Sequence, residues 1–517
     1  MKRRSFIEFI GKGALAFPII QLGLNGCRPT MTEGIGKNSL DELVLTEGLD
    51  FEILAKWGDR IGNAMYFGYN NDYIAFLPQK VDEALLWVNH ESVSTYWVSG
   101  YENNGMTRHT RQVEEEMKNV GGSILKLRKE SGDWKVDFES PSNYRFDADT
   151  KIPFEWYEGI EGRTFALGTL ANCSGGVTPW GTILTCEENY DQFYGERDFK
   201  NDGYYPSSLE WESFTGRPTE HYGWVVEVDP IAKKAKKHVG LGRFAHECAT
   251  VKELADGRVV IYSGDDQNGG CLFKYISDDS GKIFPGKLYV ANTERGLWNH
   301  LDYGNPVLNQ YFSSETEMLI RCREAALLVG GTPLDRPEDI EIDPLNGHVL
   351  ISLTNNVRKG NYHGSIAKLV EQNGYDGLQF EFDTFLTGGE ETGFSCPDNL
   401  CFDTAGNLWF ASDISGSKIG KGAYEPFGNN GLFVLLRNGA QAGKIIQVAS
   451  APNDAELTGM YFDELGETLF LSVQHPGEMS NSEKTTSHWP LGGNETPMPA
   501  VVAIKGDFLQ EVQGKFE

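Results

Sequence analysis

Six short apolar runs recur along the chain, each entered from a turn and each ending on polar, often acidic, residues. They occupy 81–91, 180–189, 257–266, 347–356, 406–413 and 466–478. Alternation such as Ile340-Glu341-Ile342-Asp343 or Val251-Lys252-Glu253 has the period of two that marks a strand. Asp343-Pro344-Leu345-Asn346-Gly347 and Asp403-Thr404-Ala405-Gly406 carry the residues of hairpin turns. In four units a carboxylate stands 8 to 10 residues ahead of the turn glycine: Glu247 before Gly257, Glu338 before Gly347, Asp398 before Gly406 and Glu456 before Gly466. Each unit therefore reads as an acidic loop, a strand, a hairpin and a second strand. Radial repetition of such units predicts an all-β fold, a six-bladed β-propeller with loop and short helical insertions. Loops entering the innermost strands would open at one mouth of the channel, so their carboxylates would converge. Their mutual repulsion in a partly desolvated channel calls for cations.

Composition agrees with many strands and tight turns: 60 of 517 residues are Gly and 12% are aromatic. Lys plus Arg number 46 against 74 Asp plus Glu, a formal charge of −28. That balance argues against nucleic-acid binding, which relies on cationic side chains to neutralise phosphates. It also repels a phosphoester unless bound cations reverse the field locally, and an acidic chain is well supplied with ligands for them. The first 27 residues are set apart. Lys2, Arg3 and Arg4 precede Ser5 and Phe6, and an apolar run follows over 14–24. This resembles a twin-arginine export signal, an address read by the export machinery. The run is too short to span a bilayer comfortably. Leu24-Asn25-Gly26-Cys27 looks like a lipoprotein processing site with Cys27 as the lipidated residue. The expectation is an exported monomer, periplasmic or at the cell surface, with one domain over 28–517 and a lipid anchor as its only membrane attachment. The seven other cysteines show no CxxC pair or framework spacing, so no zinc finger or disulfide scaffold is indicated.

One segment, 172–189, joins Cys173 in a glycine-rich turn to an apolar run ending on Glu187 and Glu188. A thiolate is a soft donor, whereas carboxylates are hard oxygen donors suited to calcium or a ferric ion. The pairing suggests a mixed-metal site. Taken alone, an inert buried thiol and two solvent-facing glutamates would explain it as well. The aromatic, charged stretch 191–224 reads as an insertion over the channel mouth. P-loop, Gly-x-Ser-x-Gly and His-Glu-x-x-His motifs are absent from the sequence.

Taken in order, the motifs resemble the PhoX family of secreted bacterial alkaline phosphatases. They are Asn89-His90-Glu91, the segment 172–189, Gly242 to Glu247 (GRFAHE), Tyr262 to Asp266 (YSGDD), Thr332 to Asp339 (TPLDRPED), Leu353 to Asn356 (LTNN), Ser395 to Trp409 and Gln474 to Glu478 (QHPGE). The resemblance implies a six-bladed propeller whose site holds two ferric ions and several calcium ions, with no covalent protein nucleophile. By analogy Cys173 would bridge or ligate iron, with Glu247 and Glu338 among the ligands. Glu187, Glu188, Asp265, Asp266 and Asp398 become candidates for calcium or shared coordination. Arg336 would hold phosphate oxygens bidentately, and Asn89, Asn356 and Asn399 could supply neutral oxygens or hydrogen bonds to substrate. Phosphomonoester hydrolysis by a metal-bound oxo or hydroxide would follow. Cys248, Cys396 and Cys401 depart from the family pattern. A calcium-dependent propeller lactonase or phosphotriesterase, and a non-catalytic surface propeller held together by its ions, are the competing readings.

Overall fold

Antiparallel hairpins account for nearly all the regular structure of the computed structural model, which describes residues 34–515. The export-signal and Cys27 expectations lie outside those residues. The described chain builds six strand groups, and the first strands of the groups are β1 Asn71–Lys80, β2 Asn172–Val177, β3 Thr250–Glu253, β4 Pro337–Ile342, β5 Pro397–Phe402 and β6 Glu456–Phe462. Each pairs antiparallel with the strand that follows it: Glu83–His90, Ile183–Glu187, Val259–Gly264, Val349–Leu353, Leu408–Ser412 and Leu469–Gln474. These second strands are the six apolar runs of the sequence. A third and fourth strand complete each group. In the last group the outer strand, Asp50–Lys56, comes from the start of the chain and pairs with Ala500–Lys505. The third and fourth groups join at their outer edges through Leu297 and Gln379, giving one nine-stranded sheet.

Alternation puts one apolar face of each sheet against its neighbour. Ala75, Leu85 and Trp87 meet Ile183, Val226 and Val228 between the first and second groups. Val260, Tyr262 and Leu272 meet Ile340, Val349 and Ile351 between the third and fourth. Phe76 and Leu86 pack on Phe470 and Val501, joining the first group to the last. Each such side chain contributes about 1.5–3 kcal/mol when fully buried. The first strands pack on one another in series, β1 on β2, β2 on β3, β3 on β4, β4 on β5, β5 on β6 and β6 back on β1.

Four of those strands share a backbone device that the sequence pattern did not reveal. The residue before each strand is left-handed: Asn70 (φ 52°), Ala171 (φ 53°), Arg336 (φ 54°) and Cys396 (φ 52°). One paired residue follows, and then a bulge interrupts the register, over Asn71–Ile74, Asn172–Gly175, Pro337–Ile340 and Pro397–Leu400. The first residue inside each bulge is Asp72, Cys173, Glu338 or Asp398. Glu338, Asp398 and Glu456, expected on loops, thus belong to strands. A bulge re-aims a side chain while keeping the sheet intact, which is how a strand can present a ligand at a crowded centre.

The crowding is tight at Gly459 on β6, where an added Cβ would lie 2.2 Å from the Asp72 carbonyl oxygen, with φ at +58°. Gly459→Ala should therefore lower stability by more than about 2 kcal/mol. Gly492→Ala, at φ +71° with open space around it, should cost only about 1 kcal/mol. Thermal unfolding of the two variants checks this, and equal effects would show that the close approach contributes nothing.

Candidate metal centre

The bulged residues meet in a cavity of about 90 Å³. Nine carboxylates line it: Asp72, Glu91, Glu188, Glu247, Asp266, Glu338, Asp398, Asp413 and Glu456, together with the Cys173 thiol and the Arg336 guanidinium. Three overlapping triads each bring their ligand atoms within 4.8 Å of one another: Glu91–Cys173–Glu188, Glu188–Glu247–Asp266 and Glu247–Glu338–Asp398. Two oxygens that share a calcium at 2.3–2.6 Å can be no farther apart than about 5 Å, so each triad fits an ion. Shared members, Glu188 and Glu247, chain the three into one multinuclear arrangement.

Burial first, and then the neighbouring acids, push the carboxyl groups of Glu188, Glu247 and Asp398 well above the usual range. Asp72 and Glu456 are raised for the same two reasons, with Glu91 and Asp413 respectively as the leading neighbours. Glu338 is also raised by burial, although Arg336 opposes the shift. Burial, Asp72 and Glu247 raise the Cys173 thiol in the same way, and its Sγ lies 3.2 and 3.3 Å from the two Glu247 oxygens. Asp72 Oδ1 and Asp398 Oδ1 are buried without a hydrogen-bond partner among the described residues. Orphaned acceptors of this kind are costly unless a cation completes them. The donor set therefore fits metal ions, hard oxygens throughout with one soft sulfur beside Glu91, Glu188 and Glu247.

Neutral side chains fix the ligands. Asn189 Nδ2 donates to Glu188 at 2.6 Å and Gln474 Nε2 to Glu91 at 2.6 Å. Arg336 donates to both oxygens of Asp266 (2.9 and 2.8 Å), lies 2.7 Å from Glu338 Oε1 and faces Asp413 at 3.6 Å.

Of the residues singled out in the sequence, Cys173, Glu188, Glu247, Asp266, Arg336, Glu338 and Asp398 come together here. The others do not. Glu187 turns to a fully buried ion pair with Lys237 at 2.6 Å and accepts from the Gly223 and Trp224 amides. Asp265 is held by Arg323 through three contacts of 2.7–3.0 Å. Asn89 is saturated: it donates to the Cys173 and Ser174 carbonyls and accepts from Trp87 and Thr185, so it holds the bulge that carries the thiol. Asn356 caps Lys359 and bonds Asp335. Asn399 accepts from the Gly459 amide and lines a separate cavity with Tyr73, Ser174 and Asp339. Asp72, Glu91 and Asp413 are the members that sequence reasoning left out, and Glu456, read there as converging with the others, was not assigned as a ligand. A further acidic group, Glu155–Glu227–His238, already contains an ammonium, since Lys236 Nζ lies 2.8 and 3.2 Å from its two glutamates.

Clustered carboxylates around a guanidinium are the furniture of metal-assisted hydrolases. The chain belongs to the alkaline phosphatase PhoX family, whose model matches residues 31–477, and it is accordingly a phosphoester hydrolase. Among solved structures it is similar to Pseudomonas fluorescens PhoX in complex with vanadate, a transition-state analogue. That likeness has a TM-score of 0.81 and 27% identity, covering 93% of this chain and 98% of the other. The gluconolactonase XC5397 from Xanthomonas campestris aligns with a TM-score of 0.37 and 10% identity over 93% of this chain and 99% of the other, and no inference about this chain follows from it. No curated protein matches the chain.

Because the raised carboxyl groups favour the protonated form in the folded state, their contribution to stability is complete below the unfolded carboxylate range. It is lost as pH climbs through the raised values. Protein stripped of metal by a chelator should thus fall in melting temperature by several degrees between pH 5 and 8, and calcium should restore it most strongly at the higher pH. A chelator effect independent of pH in thermal scans would contradict this.

Proposed function

We propose that the protein is a phosphomonoester hydrolase of the alkaline phosphatase type, built as a six-bladed β-propeller with a mixed iron and calcium centre on its axis. The observation that carries the reading is Arg336, a lone guanidinium set against Asp266 and Glu338 in two of the three triads. A phosphoryl group placed there would meet the Nη1 end of the guanidinium, which Asp266 and Glu338 do not engage, and the ions together. The complex of a similar phosphatase with a transition-state analogue supports the same chemistry.

In this reading Cys173, Glu91, Glu188 and Glu247 hold iron, and Glu188, Glu247, Asp266, Glu338, Asp398 and Asp72 hold calcium or share it. When bound, such ions supply Lewis acidity that offsets phosphoryl charge and activates a solvent-derived nucleophile. The chain's own residues do the rest. Arg336 presents two N–H donors to the phosphoryl oxygens, and its charge persists at alkaline pH because Asp266 and Glu338 outweigh the burial that opposes it. Asp266 and Asp413 flank the guanidinium and set its angle. Gln474 and Asn189 prevent Glu91 and Glu188 from rotating away. The sulfur favours this reading over a lactonase or phosphotriesterase with one catalytic calcium. The basic, apolar N-terminus and Cys27 support export, with Cys27 as a candidate lipid anchor.

Arg336→Ala should lower kcat/KM for p-nitrophenyl phosphate by about 10²–10³-fold, the scale for losing one preorganised donor of transition-state charge. Its metal content should stay within about a quarter of wild type. Loss of the ions in this variant would show Arg336 to be structural instead. Cys173→Ala should lose iron by elemental analysis and lose activity with it, whereas full activity with calcium alone would sink the mixed-metal centre.

A further inference from the structure

Arg336 and Asp413 line two cavities at once, the metal centre and an adjoining space of about 560 Å³. Much of that larger cavity is made by the connection between Leu408–Ser412 and Gly431–Leu435, residues 413–430. Its only regular structure is one 3-10 turn, Gly422–Tyr424, and long, sparsely structured connections of this kind are uncommon in compact domains. This one is held firmly. Asn430 accepts from the Ile414 amide at 2.7 Å and donates to the Ile414 and Ala455 carbonyls at 3.1 and 3.2 Å. Ile414, Tyr424 and Phe427 pack with Cys396 in a small apolar cluster of their own. The cavity wall is thus preorganised.

Its chemistry differs from that of the rest of the molecule. Lys418 and Lys421 line the cavity, and among the described residues neither forms an ion pair. Lys421 Nζ donates only to the Ser417 carbonyl, at 3.0 Å. Acids outnumber bases 74 to 46 in this chain, whereas this wall carries Arg336, Lys418 and Lys421 against Asp413 alone, a local reversal of that balance. The one carboxylate on the cavity wall, Asp413, faces Arg336 at 3.6 Å. Asp454 and Glu478 stand next to Gly416 of the same loop, where an added Cβ would lie 3.0 Å from Glu478 Oε2 and 3.5 Å from Asp454 Cβ, but they are not part of the cavity lining. Tyr362 and Tyr424 supply flat apolar faces, and Asn355 a polar edge.

We propose that this cavity is the leaving-group subsite, and that the preferred esters carry a second anionic group, a carboxylate or a further phosphate, on the leaving group. The proposal rests on the phosphomonoesterase reading. With the phosphoryl group at Arg336, the alcohol it leaves extends between the tyrosines, and its own charge meets Lys418 and Lys421. A phosphate and a carboxylate share the chemistry these lysines recognise. Two matched pairs of esters separate them: 3-phosphoglycerate against glycerol 3-phosphate, and fructose 1,6-bisphosphate against fructose 6-phosphate.

The metal-loaded enzyme should favour the more anionic member of at least one pair by about tenfold or more in kcat/KM. Lys418→Ala combined with Lys421→Ala should bring that ratio close to one, as should raising the ionic strength, since exposed charges are screened by salt. Lys418→Arg with Lys421→Arg should keep the preference. A preference in the first pair alone identifies a carboxylate, and in the second alone a phosphate. Ratios unchanged by the alanine variants in both pairs would overturn the proposal while leaving phosphatase activity established. Failure to hydrolyse all four esters and p-nitrophenyl phosphate would overturn both readings.

Discussion

Repulsion among buried carboxylates is the constraint on which this molecule turns. Nine of them surround a cavity of about 90 Å³, and burial, then the neighbouring acids, push the Glu188, Glu247 and Asp398 carboxyl groups well above the usual range. Unrestrained strands would relieve such crowding by turning their side chains outward. Here that escape is blocked by covalent and packing geometry at four of the six first strands. The left-handed residue, the bulge and the close passage of Gly459 past Asp72 each force a donor inward. Backbone conformations of this sort cost about 1–3 kcal/mol apiece and persist only where surrounding structure over-determines them. The apolar clusters between sheets supply that determination, because a first strand cannot shift without disturbing two interfaces.

Arg336 connects the parts. It is at once the left-handed residue that starts β4, the partner of Asp266 and Glu338, and a wall of the cavity formed by 413–430. The backbone turn that aims Glu338 into the centre therefore also aims the guanidinium. In the proposed reading, ligand placement and phosphate recognition become one geometric event, and the approach from the larger cavity is shared with both.

Much of this was legible in the sequence, and the gaps have physical causes. The second strands announced themselves because their apolar runs are bounded by turn glycines. Glu247, Glu338 and Asp398 were found as a set because they keep the same phase to those turns. Glu456 keeps it too, and Glu91 and Asp413 end two of the runs, so the signal for them was present. Asp72 had none: its position depends on a bulge, which leaves no periodic trace. The Glu187-Glu188 and Asp265-Asp266 pairs were read as joint ligands, yet neighbouring residues on extended chain point to opposite sides. One member of each pair had to face elsewhere, and alternation alone could have said so.

What became of those second members explains how the centre stays rigid. Glu187 is locked to Lys237 and Asp265 to Arg323, each cation standing on the far side of the backbone from the metal ligands. Breaking one partner of a fully buried pair such as Glu187–Lys237 leaves an uncompensated charge, a loss of about 3–5 kcal/mol. The three contacts of Arg323 hold Asp265 in the same sense, so these pairs resist rotation of the strand end. Glu188 and Asp266 inherit that resistance through one peptide unit. Asn89 acts the same way on Cys173, holding the bulge by its carbonyls rather than by the thiol. The groups free to bind ions are thus the ones whose neighbours are bound to protein. A cation arriving at the centre would meet donors already oriented rather than have to rearrange the chain.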